Sequence, residues 1–348
     1  MNDYKKMTKI VNTYNVGVSP SSLAITNNNK YGYVCNSNNF GITGSDSVTV
    51  LNLKKGIPET TIYDSSFNEP YRIAIDHCDK YAYVCNSGSP SYTGSTGTVS
   101  IIDLNVNKVT GTINGFDGPG AIVLIEKNNT AYVTNYGAAG GVQSGNGTHV
   151  SLVNLKTNQI QQNIVVDLAP SALTTDKKYK YVYVTCYTNG LEGTGTVNII
   201  DINTNNVVNK ITGFFGPFDI SIHKKYAYVS NFGSNNFAPY GTSISIVNLK
   251  QNSILMNIQT GIQPAGILND SKFIYVTNYN SLYANPTTFQ NLTYGESTLS
   301  VICIKTHKII CTIPIGQTGT MMAMTNDCKK LFICKYVQNT VVELRPYD

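Results

Sequence analysis

The 348-residue chain reads as all-β, a seven-bladed β-propeller of four-stranded antiparallel blades, and three observations carry that reading. A tyrosine-led strand pattern recurs seven times, each recurrence carries four short β patterns, and the two chain ends complement one another. The recurring stretches are Tyr33-Val34-Cys35-Asn36, Tyr83-Val84-Cys85-Asn86, Tyr132-Val133-Thr134-Asn135, Tyr183-Val184-Thr185-Cys186, Tyr228-Val229-Ser230-Asn231, Tyr275-Val276-Thr277-Asn278 and a degenerate Phe332-Ile333-Cys334-Lys335. Successive copies start 45 to 57 residues apart. At such a period each unit cannot bury its apolar face alone and must stack on its neighbours.

Within each repeat the first β pattern follows a proline: residues 22–25 after Pro20, 72–75 after Pro70, and 121–124 after Pro119. The second is the tyrosine-led stretch itself, entered through a Lys, Asp or Asn turn. The third covers residues 47–53, 98–104, 148–155, 196–202, 242–249 and 298–304. The fourth reads as shorter and more polar, as in residues 109–113, 160–165 and 207–211. Short β-branched and aromatic runs bounded by Gly, Asn, Asp and Pro are strand signals, and no segment sustains a helical period. Four antiparallel strands repeated seven times make a propeller, whose sheets pack face to face around a channel.

The last repeat stops after its third pattern, residues 340–344, so its fourth strand is missing. Residues 9–17, Lys-Ile-Val-Asn-Thr-Tyr-Asn-Val-Gly, align with the fourth pattern of the sixth repeat, residues 308–316. The N-terminal segment is therefore expected to complete blade 7 and hide two open sheet edges, making residues 1–348 a single propeller domain.

Composition narrows the function classes. Hydrophobic residues make up 41% of the chain, enough for a core, against 13% charged residues and a net charge of +5. The basic residues are spread thinly along the chain, and only Arg72 and Arg345 are arginines, so the clustered face that nucleic acid requires is not expected. No apolar run approaches the length of a membrane span, so no membrane insertion is expected. The N-terminus lacks the apolar core of a secretion signal, which points to an intracellular (cytoplasmic) or virion setting. Eight cysteines occur without a Cys-x-x-Cys pair, several where sibling repeats carry Thr, Ser or Val, and they read as free thiols in a reducing compartment.

Taken together, the proline-led first strand, Lys-Tyr-x-Tyr-Val-(Thr/Cys)-Asn, Gly-Thr-Val-Ser-(Val/Ile)-(Ile/Leu)-(Asp/Asn)-Leu and a closing Asn-x-Val-x-x-Thr-Ile pattern resemble the YVTN family of β-propeller repeats over essentially the whole chain. The resemblance implies the fold strongly and the function weakly. Proteins of this look include bacterial and archaeal envelope proteins, periplasmic binding propellers, and the related propellers of lactonases and haem-d1 domains. The Asn-, Lys-, Tyr- and Cys-rich composition resembles the versions found in amoeba-infecting giant viruses.

In such a topology, connections between second and third strands emerge on the same face as those linking each fourth strand to the next blade. Six of the former are long, covering residues 36–46, 86–97, 135–147, 186–195, 231–241 and 278–297. They mix Gly, Ser and Asn with Tyr92, Tyr136, Tyr187, Phe232, Tyr240, Tyr279, Tyr283 and Tyr294. Tyrosine gives contact area with few rotors and a polar tip, the mixture of adaptable binding loops. The bland alternative is that loops in an Asn- and Tyr-rich protein have this composition anyway. Nearer the channel, the second residue after the repeat proline, or after the Gly319 aligned with it in the seventh repeat, is Ser22, Arg72, Ala121, Ala172, Asp219, Gly266 or Met321. Arg72 and Asp219 are the only charges there. Arg72 beside Tyr71 is expected to hold an anionic group and Asp219 beside Phe218 to orient it; the competing reading is a structural charge pair.

Enzyme signatures are missing from the pattern. His77, His149, His223 and His307 fall on separate repeats at apparent turns or loops, so neither a metal cluster nor a nucleophile triad is expected, and no cofactor. Met321 and Met322 read as channel packing rather than haem ligands. The expectation is a non-enzymatic binding or scaffold propeller that recognises a protein partner or glycan through the long-loop face. The competing classes are a lactonase- or hydrolase-like enzyme and a structural particle component.

Overall fold

The computed structural model describes residues 10–37, 45–88, 97–137, 146–188, 191–234, 240–285 and 290–346. Seven four-stranded antiparallel sheets form, each laid out in chain order except the last. The innermost strands are Pro20–Ile25, Pro70–Ile75, Pro119–Ile125, Pro170–Thr175, Pro217–His223, Pro264–Asn269 and Gly319–Met324. Each touches the next and the seventh touches the first, so the ring is closed around an axis. Apolar clusters fill every interface between neighbouring blades; Tyr14, Leu23, Val34, Phe332 and Val341 lie between blades 7 and 1. Among the described residues no helix is long and apolar enough to cross a membrane.

Blade 7 is completed as the chain ends predict. Strand Ile10–Asn15 pairs antiparallel with Thr340–Leu344, in a register that sets Tyr14 against Val341 and Asn15 against Thr340. Side chains reinforce this closure. The Tyr14 hydroxyl donates to Glu343 Oε2 at 2.5 Å. Lys330 Nζ lies 3.1 Å from Glu343 Oε1 and donates to the Leu53 carbonyl at 3.0 Å, which ties blade 1 into the same network.

Each letter of the repeated motif has a structural task. In blades 1 and 3 the tyrosine reaches the next blade, the Tyr33 hydroxyl donating to Asn107 Oδ1 at 2.7 Å and that of Tyr132 to Asn205 Oδ1, whereas Tyr275 donates to Asp270 of its own blade. The valines, Val34 and Val84 among them, are fully buried between sheets. Each inner strand has a β-bulge near its start, and in blades 3 to 6 the third residue of the motif takes a backbone N–H that the bulge frees. Thr134, Thr185, Ser230 and Thr277 accept from the amides of Ala121, Ala172, Asp219 and Gly266 at 2.8 to 3.0 Å. The asparagine amide donates to Ser and Thr hydroxyls of its own third strand, Asn86 to Thr98 and Ser100 for instance. The buried asparagine N–H groups are thereby paired, as low-dielectric surroundings demand, while the side-chain carbonyl oxygens of Asn36, Asn86 and Asn278 are enclosed without a partner.

The residue entering each inner strand binds the two kinds of connection together. Ser19, Glu69, Gly118, Ala169, Gly216, Gln263 and Thr318 all have left-handed φ angles. Their carbonyls accept the N–H of the residue that follows each motif strand: Ser37, Ser87, Tyr136, Tyr187, Phe232, Tyr279 and Tyr336. A left-handed non-glycine residue costs on the order of 1 kcal/mol. Five such positions in register show that tertiary contacts impose this geometry. At Gly216 a side chain would also strike the Gly233 carbonyl and the Tyr187 ring.

Three local readings change. The fourth strands are not the short ones: Lys108–Phe116, Asn206–Phe214 and Lys308–Gln317 are 9, 9 and 10 residues long. Their exposed polar character holds, because the outermost strand has water on one side and no neighbour to limit its length. The segment between the second and third strands of blade 6 is not a plain loop. It folds into its own hairpin, Ser281–Asn285 against Gln290–Tyr294, consistent with two apolar-containing runs flanking an Asn-Pro turn signal. Finally, His149 and His223 lie at strand ends rather than in loops. All eight cysteines are free thiols.

Candidate functional site at the channel mouth

The position immediately after the motif strand decides what stands at the mouth. Its backbone is pinned in all seven blades, so the side chain leaves each sheet at the same level of the ring. Blades 1 and 2 have Ser37 and Ser87 there; blades 3 to 7 have Tyr136, Tyr187, Phe232, Tyr279 and Tyr336. Tyr187, Phe232 and Ala265 form a small apolar cluster distinct from the blade interfaces, against which Tyr136, Phe218 and Tyr279 pack. The ring centroids of Phe218 and Phe232 are 5.1 Å apart, those of Phe232 and Tyr279 6.3 Å, and those of Tyr279 and Tyr294 6.0 Å. These are favourable aromatic separations. The Tyr187 hydroxyl donates to the Gly233 carbonyl, fixing that ring.

Burial pushes the phenol of Tyr279 far up, and the neighbouring Tyr294, Tyr336 and Tyr71 raise it further. Tyr136 is raised by burial and by Tyr71, and Tyr71 by its own burial against the pull of Arg72. The phenols therefore stay neutral, as hydrogen-bond donors and acceptors with flat apolar faces.

Arg72 and Asp219 stand on the inner strands of blades 2 and 5, on opposite sides of the ring, and meet. Arg72 Nη2 lies 3.6 Å from Asp219 Oδ1, with side chains 18% and 14% exposed. The pair is loose and unequally served. Asp219 Oδ2 accepts the Ile267 N–H at 3.0 Å, whereas Arg72 Nε is enclosed with no hydrogen-bond partner. Burial raises the Asp219 carboxyl pKa, opposed by Arg72 and by backbone N–H groups.

The structure thus brings together Tyr71, Arg72, Tyr136, Tyr187, Phe218, Asp219, Phe232, Tyr279 and Tyr294. Tyr240 stands further from the axis, opposite Gly233 at the start of a third strand. Tyr92 lies outside the described residues, and of Tyr283 only the backbone pairing with Leu292 is described. Sequence reasoning missed Tyr336, because the seventh connection is short; its signal was alignment with Tyr279 rather than loop length. Met321 is buried, and Met322 packs between blades 6 and 7. His307 stacks edge-on against Tyr226, and His77 bonds Glu126 of the next blade. Among the described residues no group of three His, Cys, Asp or Glu side chains is placed to hold a metal ion.

No family model matches the chain, and no curated protein matches it in sequence. Among solved structures it is similar to a chain of Kuenenia stuttgartiensis hydrazine synthase. That similarity has a TM-score of 0.73 at 16% identity and covers 95% of this chain and 96% of the other. A likeness at that identity concerns the fold alone. The chain is a seven-bladed β-propeller.

Proposed function

We propose that this chain is a non-enzymatic binding propeller that recognises a protein partner or glycan on the face carrying the connections between second and third strands. One observation carries the reading: five consecutive blades place an aromatic residue at the same mouth position, with half-buried Tyr71, Phe218 and Tyr294 beside them. Rings already held by packing lose little entropy when a ligand covers them, and their phenol tips add directional hydrogen bonds. The extra hairpin of blade 6 enlarges the same face. The repeat motif supports a place among YVTN-type propellers, and the composition supports an intracellular or virion setting.

The test is binding of the full chain to a glycan panel and to partner proteins captured from its source, beside the Tyr136→Ala/Tyr279→Ala double variant. The variant is expected to lose at least about tenfold in affinity, since buried aromatic anchors commonly carry more than 1 kcal/mol each. Equal binding by both proteins would remove the reading.

A further inference from the structure

Resting on that reading, we infer that Arg72 anchors the carboxylate of an acidic sugar at the end of a glycan, which enters through the aromatic mouth and displaces Asp219 from the guanidinium. Arg72 makes one ionic contact of 3.6 Å, and its Nε is enclosed without a hydrogen-bond partner. A guanidinium is a planar fork that a carboxylate fills with two parallel hydrogen bonds, and Asp219 offers only one loose contact because Ile267 holds its other oxygen. An unpaired, enclosed donor is costly, so a better-fitting acceptor gains what the resting pair leaves unmet.

The chemistry of the surroundings selects the class. A carboxylate replaces Asp219 charge for charge, whereas a phosphate dianion would leave surplus negative charge beside that aspartate in an enclosed space. Tyr71 adjoins Arg72 in the chain, and Tyr136 and Tyr279 lie near Tyr71. Tyrosine faces cover the C–H face of a pyranose while the phenol tips meet its hydroxyls.

Displacement has a proton signature. The groups facing the pair are the Tyr71 phenol and the Cys85 and Cys334 thiols, all held neutral by burial, so Asp219 is the one that titrates. Losing Arg72 takes away the partner that holds its carboxyl down, so the displaced Asp219 takes up a proton. Binding with proton uptake weakens as pH rises.

The experiment is calorimetric titration of the full chain with glucuronate, glucose, and a tripeptide as free acid and as amide, between pH 5 and 8. Glucuronate is expected to bind about tenfold or more tightly than glucose, with affinity falling as pH rises. Arg72→Met removes the difference between the sugars; Asp219→Asn tightens glucuronate and flattens its pH dependence. Because Arg72→Met leaves Asp219 buried without its partner, an Arg72→Met/Asp219→Met variant is titrated as well, with thermal unfolding as the check on folding. Equal affinity for the two sugars, preference surviving in both methionine variants, preference for the tripeptide acid, or no sugar binding overturns the inference. Equal sugar binding that depends on Tyr136 and Tyr279 would leave the aromatic mouth standing without the Arg72 anchor. Glucuronate preference indifferent to those tyrosines would do the reverse.

Discussion

Lys335 stands where five other blades carry the asparagine of the motif, and it is 1% exposed. Its Nζ donates to the Ile315 carbonyl at 2.6 Å. Burial lowers its pKa from the usual 10.5 to about 7. The folded-state value lies below the unfolded one, so between those limits the unfolded chain binds a proton that the folded chain has released. Stability from this group therefore rises with pH across that window and is level, at its lowest, below about pH 7. Between pH 7 and 9.5, before tyrosine ionisation intrudes, the wild-type chain should gain up to ~3 kcal/mol relative to Lys335→Met. Guanidinium unfolding at stepped pH measures this, and parallel curves for the two proteins would refute it. The sequence showed that Lys335 broke the motif. It did not show that the ammonium would inherit the asparagine's place, because that depends on how closely the end of the outer strand of blade 6 approaches.

The motif strand was the most legible element, since all four of its letters answer to neighbours fixed by the repeat itself. Thr277 is the clearest case: it accepts the Gly266 N–H at 3.0 Å and donates to the Thr320 carbonyl of blade 7 at 2.5 Å. Thr277→Val keeps the shape and removes both bonds, so a loss of about 1–3 kcal/mol is expected in urea unfolding. A change below a few tenths would show that the bridge between blades is dispensable. Less legible were the outer strands, whose polar sequence gave no apolar limit by which to judge length, and the blade 6 hairpin. The runs Ser281–Asn285 and Gln290–Tyr294 are only 5 residues each, too short for alternation to separate a strand from a loop.

At the scale of the whole ring, the match between chain ends was readable because residues 9–17 copy another repeat's outer strand. The contacts that secure it were not, since Tyr14 is 329 residues from Glu343 and Leu53 is 277 from Lys330, and each of these pairs meets only on closure. Tyr14→Phe deletes the hydroxyl that Glu343 accepts and should cost about 1–2 kcal/mol, lowering the urea midpoint while leaving the denaturant slope unchanged. A lowered slope would instead report a ring that opens before it unfolds. At the mouth, the sequence named both charges of the inner ring and most of the aromatic residues. That Arg72 and Asp219 touch across the axis follows from the diameter of a seven-membered ring, which no single repeat encodes.

Seven near-copies around an axis would, left alone, present a visitor with seven interchangeable poses. Ser37 and Ser87 interrupt the run of rings on two adjacent blades. The opening is thus a horseshoe with a definite front, and an asymmetric guest can settle in one orientation and read left from right.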